Sequence, residues 1–129
     1  MLAALTMIQA KLEQMTTDQL VTRFAEIGIA QDQAELMGEI GKFNSLYRQM
    51  DATEKELRRR GREARLALLP LYDHPNMQVR LNAAKRTLGI APDAARRALQ
   101  AISDSKWQPQ ALDAGMSLWN LDRGVFKPD

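Results

Sequence analysis

The sequence predicts an all-α chain folded as an α-α superhelix, with two helical hairpins packed on N-terminal helices that include one long helix. Three observations carry that expectation. Apolar residues recur at steps of three and four along most of the chain, the period of an amphipathic helix. No stretch alternates apolar and polar residues as a half-buried strand does, so no sheet is expected. The second half also repeats itself: Leu66 and Leu99, Leu69 and Ile102, Val79 and Leu112, Ala83 and Met116, and Leu88 and Leu121 are each separated by thirty-three positions. A fixed offset of that size marks a repeat whose units bury their apolar faces by stacking.

The first helix carries Leu2, Leu5, Ile8, Leu12 and Met15 on one face. Thr16 and Gln19 then stand at capping-box spacing and start a second helix, whose buried stripe is Leu20, Val21, Phe24 and Ile27. Gly28 and the polar Gln31-Asp32-Gln33 are expected to end or bend it. From about Ala34 to Arg60, Leu36, Ile40, Phe43, Tyr47, Met50 and Leu57 form a heptad-like seam interrupted by Glu54. The expected use of that seam is a long helix laid across its own domain; the alternative is a dimeric coiled coil. Gly38 and Gly41 lower helix propensity there and mark where the regular helix starts. Arg58-Arg59-Arg60 before Gly61 suit a helix C-terminus, since cations complement the dipole. Four shorter helices follow: Arg62 to about Tyr72, Asn76 to Leu88, Pro92 to Ser103 and Pro109 to Leu121, the last two opening on a proline suited to a first helical turn.

A chain of 129 residues is the size of one domain, 1–129, read as N-terminal helices (1–60), hairpin one (62–88) and hairpin two (92–121). There is no cysteine, which excludes disulfides, thiolate nucleophiles and cysteine-ligated metals and fits a reducing compartment. The apolar runs are too short to cross a bilayer, and the start of the chain lacks the basic opening of a secretory signal. A cytoplasmic location is therefore expected. The net charge of +2 conceals an asymmetry: residues 1–56 hold five Lys/Arg and nine Asp/Glu, residues 57–129 thirteen and seven. A basic excess of that kind speaks to association with anionic partners and not to fold.

Within the stretch LALLPLYDHPNMQVRLNAAKRTLGI, Leu68, Leu69 and Leu71 lie on the first helix and Asp73 in the turn. Val79-Arg80, Ala83-Ala84 and Leu88-Gly89 follow on the second. This stretch resembles a HEAT repeat of the kind found in bacterial HEAT/armadillo-like proteins. The resemblance implies that Asp73 and Arg80 form a structural ion pair. Thirty-three positions on, Lys106 and Asp113 reverse those charges, as a sign-inverted pair or a divergent terminal cap would. The order of features along the whole chain, from Leu20-Val21 and Phe24 through Lys42-Phe43-Asn44, Tyr47 and Glu56-Leu57 to Gly61, is similar to that of a small bacterial family of single-domain α-α superhelix proteins. That resemblance implies a fold and no activity.

Nothing in the chain forms a catalytic, metal-binding or nucleotide motif. His74 is the single histidine, which rules out a two-histidine metal site, and a capping or exposed role in its turn is expected. Glu54 and Arg58, four apart, suit a surface helix pair. Gly38-x-x-Gly41 lacks the lysine of a phosphate loop. The densest charge cluster is Arg58, Arg59, Arg60, Arg62 and Arg65, where guanidinium groups at helical spacing suit phosphates or carboxylates. Trp107, in a turn beside Gln108-Pro109, is a candidate exposed anchor. The candidate binding surface is therefore Arg58, Arg59, Arg62, Arg65 and Trp107. The function expected is that of a non-catalytic helical-repeat binding module for a protein partner, without a cofactor or a membrane, as a monomer or a dimer. The alternative is nucleic-acid binding through the basic half, a use some HEAT-like proteins make of such a face.

Overall fold

Two helix starts in this chain, those after Thr16 and Asn76, are set by short polar side chains, and the computed structural model shows both in place. It describes residues 2–129, with side chains from Met7 onward, so the apolar positions Leu2 and Leu5 lie outside the described side chains. Among the described residues all regular elements are helical: α1 (Leu2–Gln14), α2 (Thr17–Leu36), α3 (Ile40–Arg59), α4 (Arg62–Leu66), a 3-10 helix (Leu69–Asp73), α5 (Met77–Arg86), α6 (Pro92–Ser105) and α7 (Gln110–Asp122). None is long and apolar enough to cross a membrane. Backbone contacts group the chain into two compact units, Met1–Ala67 and Leu68–Asp129.

In the first unit, the Thr16 hydroxyl accepts from the Gln19 N–H at 3.1 Å and the Gln19 side chain accepts from the Thr16 N–H at 2.9 Å, the expected reciprocal box. The helix so started does not stop at Gly28. It runs on to Leu36 because its buried stripe continues past Leu20, Phe24 and Ile27 through Gln31 and Ala34. The seam from Leu36 to Leu57 is consequently split between two helices. Met37-Gly38-Glu39 intervene, with Gly38 at φ +69°, where a side chain is strained. Leu36, Ile40 and Tyr47 are exposed, whereas Met50 and Leu57 are buried between α3 and its neighbours, with Thr53 and Glu54 on the same side. A second positive φ, +105° at Gly61, ends α3 and begins α4.

The expected helix from Arg62 to Tyr72 is not continuous. Pro70 cannot donate to the helix ladder, and its ring collides with the carbonyl four residues back, so α4 ends at Leu66 and the chain resumes as 3-10 helix. In the second unit, Asn76 caps α5 through its side-chain oxygen, accepting from Gln78 at 2.9 Å and Val79 at 3.2 Å. The core of this unit is Leu81, Ala84, Leu88, Ala95, Leu99, Ile102 and Ala114, with Leu118 and Leu121 packed against it. A chain of buried amides links α7 to α5. Gln110 donates to Gln78 at 3.0 Å, and Gln78 donates to Asn82 at 2.9 Å.

The burial of α7 departs from the offset expected from the sequence. The offset of thirty-three turns Leu112 and Met116 inward, yet they are 64% and 52% exposed. The buried positions of α7 are Gln110, Ala111 and Ala114. These match Gln78, Val79 and Asn82 of α5 at an offset of thirty-two. One residue is about 100° of helix rotation, enough to exchange an inward face for an outward one.

Candidate functional site

The arginine cluster lies wholly in the first unit and is built around two buried carboxylates. Glu54 and Glu56 are each 1% exposed. Arg58 meets Glu54 at 2.9 Å, and Arg65, itself buried, lies 4.0 Å from the same carboxylate. Arg59 forks onto Glu56, its Nε at 3.0 Å and its terminal nitrogen at 2.7 Å, a bidentate charge-assisted pair. Arg60 reaches Glu56 at 2.8 Å. Its far nitrogen donates to the carbonyls of Leu12 and Glu13, at 3.1 and 3.3 Å, neutralising the negative end of α1. Gln9 adds a further donor to Glu56 at 3.2 Å.

The Arg59 guanidinium bonded to Glu56 holds its carboxyl below the usual carboxylate range; burial opposes this, and Arg60 assists it. Arg58, Arg59 and Arg65 are therefore each committed to a carboxylate, with Arg65 buried and Arg59 still exposed. They satisfy carboxylates that would be costly to bury alone. Arg62 is the member that extends into solvent with no ion pair among the described residues.

The implied Asp73–Arg80 pair does not form. Asp73 is exposed at the end of the 3-10 helix, and Arg80 instead donates from Nε to the His74 carbonyl, the nearer acceptor once the chain turns there. Nor does a reversed pair form between Lys106 and Asp113. Lys106 sits at φ +59° in the turn after α6, while Asp113 accepts from Lys85 at 2.9 Å. His74 keeps the capping role expected of it, its Nδ1 accepting from the Asn76 N–H at 3.0 Å.

Trp107 is 62% exposed, and its carbonyl accepts from the Ala111 N–H at 2.8 Å at the start of α7. Sequence periodicity missed the outward face of the same helix. Leu112, Met116 and Trp119 follow at steps of four and three, all exposed, with the Arg123 guanidinium 5.0 Å above the Trp119 ring. The signal was present as a surplus of large apolar residues on α7, more than one stripe can hold.

Residues 18–122 match the family described as a domain of unknown function, DUF2019. The chain belongs to this family. The DUF2019 stretch begins within the first turn of α2 and closes at the last residue of α7, so it contains both buried carboxylates and the outward face of α7. The chain is also similar to the crystal structure of the protein RPA1889 from Rhodopseudomonas palustris CGA009. The two share 52% identity over 92% of this chain and 98% of that one, with a TM-score of 0.89. No curated protein matches this DUF2019 chain.

Proposed function

We propose that the chain is a non-catalytic, HEAT-like helical module of the cytoplasm that engages a protein partner through the outward face of α7. The observation that carries this reading is the second apolar side of that helix. Ala111 and Ala114 are buried on one side, and Leu112, Met116 and Trp119 stand in solvent on the other. An amphipathic helix needs only one apolar stripe to fold. A second, made of large side chains and including an indole, is the composition of an interface core and not of a solvated surface. Trp107, on the turn that feeds the helix, adds a further aromatic. Nucleic-acid binding has less support, because the guanidinium groups that suggested it are mostly bonded to Glu54 and Glu56.

The test is affinity capture from the source cell with the wild-type chain and with a Met116→Glu, Trp119→Ser variant, both positions being exposed enough to leave folding intact. A protein retained by the wild type and lost by the variant is the expected result. Retention by both, or by neither, would overturn the assignment to α7.

A further inference from the structure

In the second unit, α6 packs against α5 and α7 on two sides and leaves a third side open. That side, from Ala94 through Ala98 and Ala101 to Ser105, forms one wall of a groove of about 400 Å³. The twelve residues from Ala94 to Ser105 correspond to about three helical turns, or about 16 Å between the first and the last. The facing wall comes from the 3-10 helix and the start of α5, with Tyr72 and Met77 supplying apolar surface and Arg80 a cation. Arg97 supplies a second cation from α6.

Several features make this more than a surface dent. Alanines along α6 let another backbone approach closely. The Tyr72 ring is fixed by its hydroxyl, which hydrogen-bonds the buried Thr87 hydroxyl. Arg80 is anchored through Nε to the His74 carbonyl, and its terminal nitrogens have no partner among the described residues. Arg97 has neither an ion pair nor a hydrogen bond there. A guanidinium held by one nitrogen with the others open is pre-organised for a carboxylate, and little side-chain entropy is lost when one arrives.

We infer that this groove binds a short acidic segment of a partner protein, its backbone along the alanines of α6 and its carboxylates on Arg80 and Arg97. The charge balance favours a peptide over a nucleic acid. Asp73 shares the groove with the two arginines, which leaves a single net positive charge, whereas a polyanion is held by a row of phosphate contacts. Isolated carboxylates flanked by apolar side chains suit both the guanidinium pair and the Tyr72–Met77 wall. Asp73 would face a backbone N–H or a basic residue of the segment and so fix its direction. This site uses no residue of the α7 face, so the two readings stand or fall separately.

The experiment measures fluorescence anisotropy of a labelled peptide carrying two glutamates flanked by leucines, beside its glutamine counterpart, with the intact chain at low salt. The glutamate peptide is expected to saturate and the glutamine peptide to bind at least about tenfold more weakly, the scale of one lost charge-assisted hydrogen bond. Arg97→Glu, at an exposed position, is expected to weaken the glutamate peptide by a similar factor, and Ala101→Trp to block it by projecting from the α6 wall into the groove. Met116→Glu is expected to leave it unchanged. Equal binding of the two peptides, no binding of either, or displacement of the peptide by equimolar inorganic phosphate would overturn the inference. Circular dichroism of each variant separates a lost site from a lost fold.

Discussion

Glu56 illustrates how much a single side chain organises in this molecule. Its carboxylate is out of contact with solvent, yet it receives Arg59, Arg60 and Gln9. A carboxyl whose folded pKa lies below its ordinary 4.5 contributes stability that is present above that pH. The contribution is lost as pH falls through the depressed folded value. Glu56→Gln keeps the shape and removes the charge, and is expected to cost about 1–3 kcal/mol near pH 7. Urea denaturation at pH 7 and at successively lower pH checks this: the difference from wild type should be largest at pH 7 and shrink as the pH falls below 4.5. A penalty of equal size at every pH would mean that the charge is not what matters. From sequence, the Glu54–Arg58 pair was legible by its spacing, but its burial was not. Whether a carboxylate lies inside depends on cations arriving from elsewhere in the fold, here Arg65.

At the scale of elements, the chain announces its helix starts better than its helix ends. The Thr16–Gln19 box and Pro92 were readable because the cap is local chemistry. The end of α2 was not, since polar residues at 31–33 look like a break until Gln31 is found buried in the stripe. Pro70 was readable but masked by the surrounding leucines, and it alone accounts for the interrupted helix after α4. Two glycines a few residues apart give a sharp check on the α2–α3 boundary. Gly38, at φ +69°, is expected to lose about 1–2 kcal/mol on substitution by alanine, the cost of a left-handed residue with a Cβ. Gly41, inside α3 with open space around its Cα, is expected to gain roughly 0.5–1 kcal/mol from the same change. Thermal melts of the two variants should therefore shift in opposite directions. Shifts of the same sign would mean that the long helix is continuous across both glycines.

For the whole molecule, the decisive change between sequence and structure is where the charge belongs. Dividing the chain at residue 56 separates Glu54 and Glu56 from the arginines that bind them, and so creates the apparent basic half. Divided instead where the compact units meet, residues 1–67 hold ten Lys/Arg and ten Asp/Glu, and residues 68–129 hold eight and six. The second unit spends Lys85 on Asp113 and Arg96 on Asp122. That leaves fewer cations for phosphates, and each phosphate contact missing removes nearly one unit from the salt dependence of binding. A labelled DNA duplex is therefore expected to show no mobility shift with micromolar protein at about 0.15 M salt, the regime in which non-specific binders of this size already act. Arg62→Glu, which removes the unpaired member of the cluster, is expected to change nothing in that assay. A shift that weakens steeply with salt and disappears in the Arg62→Glu variant would return the cluster to the nucleic-acid reading. It would also mean that Arg58 and Arg59 exchange Glu54 and Glu56 for phosphate when a duplex is present.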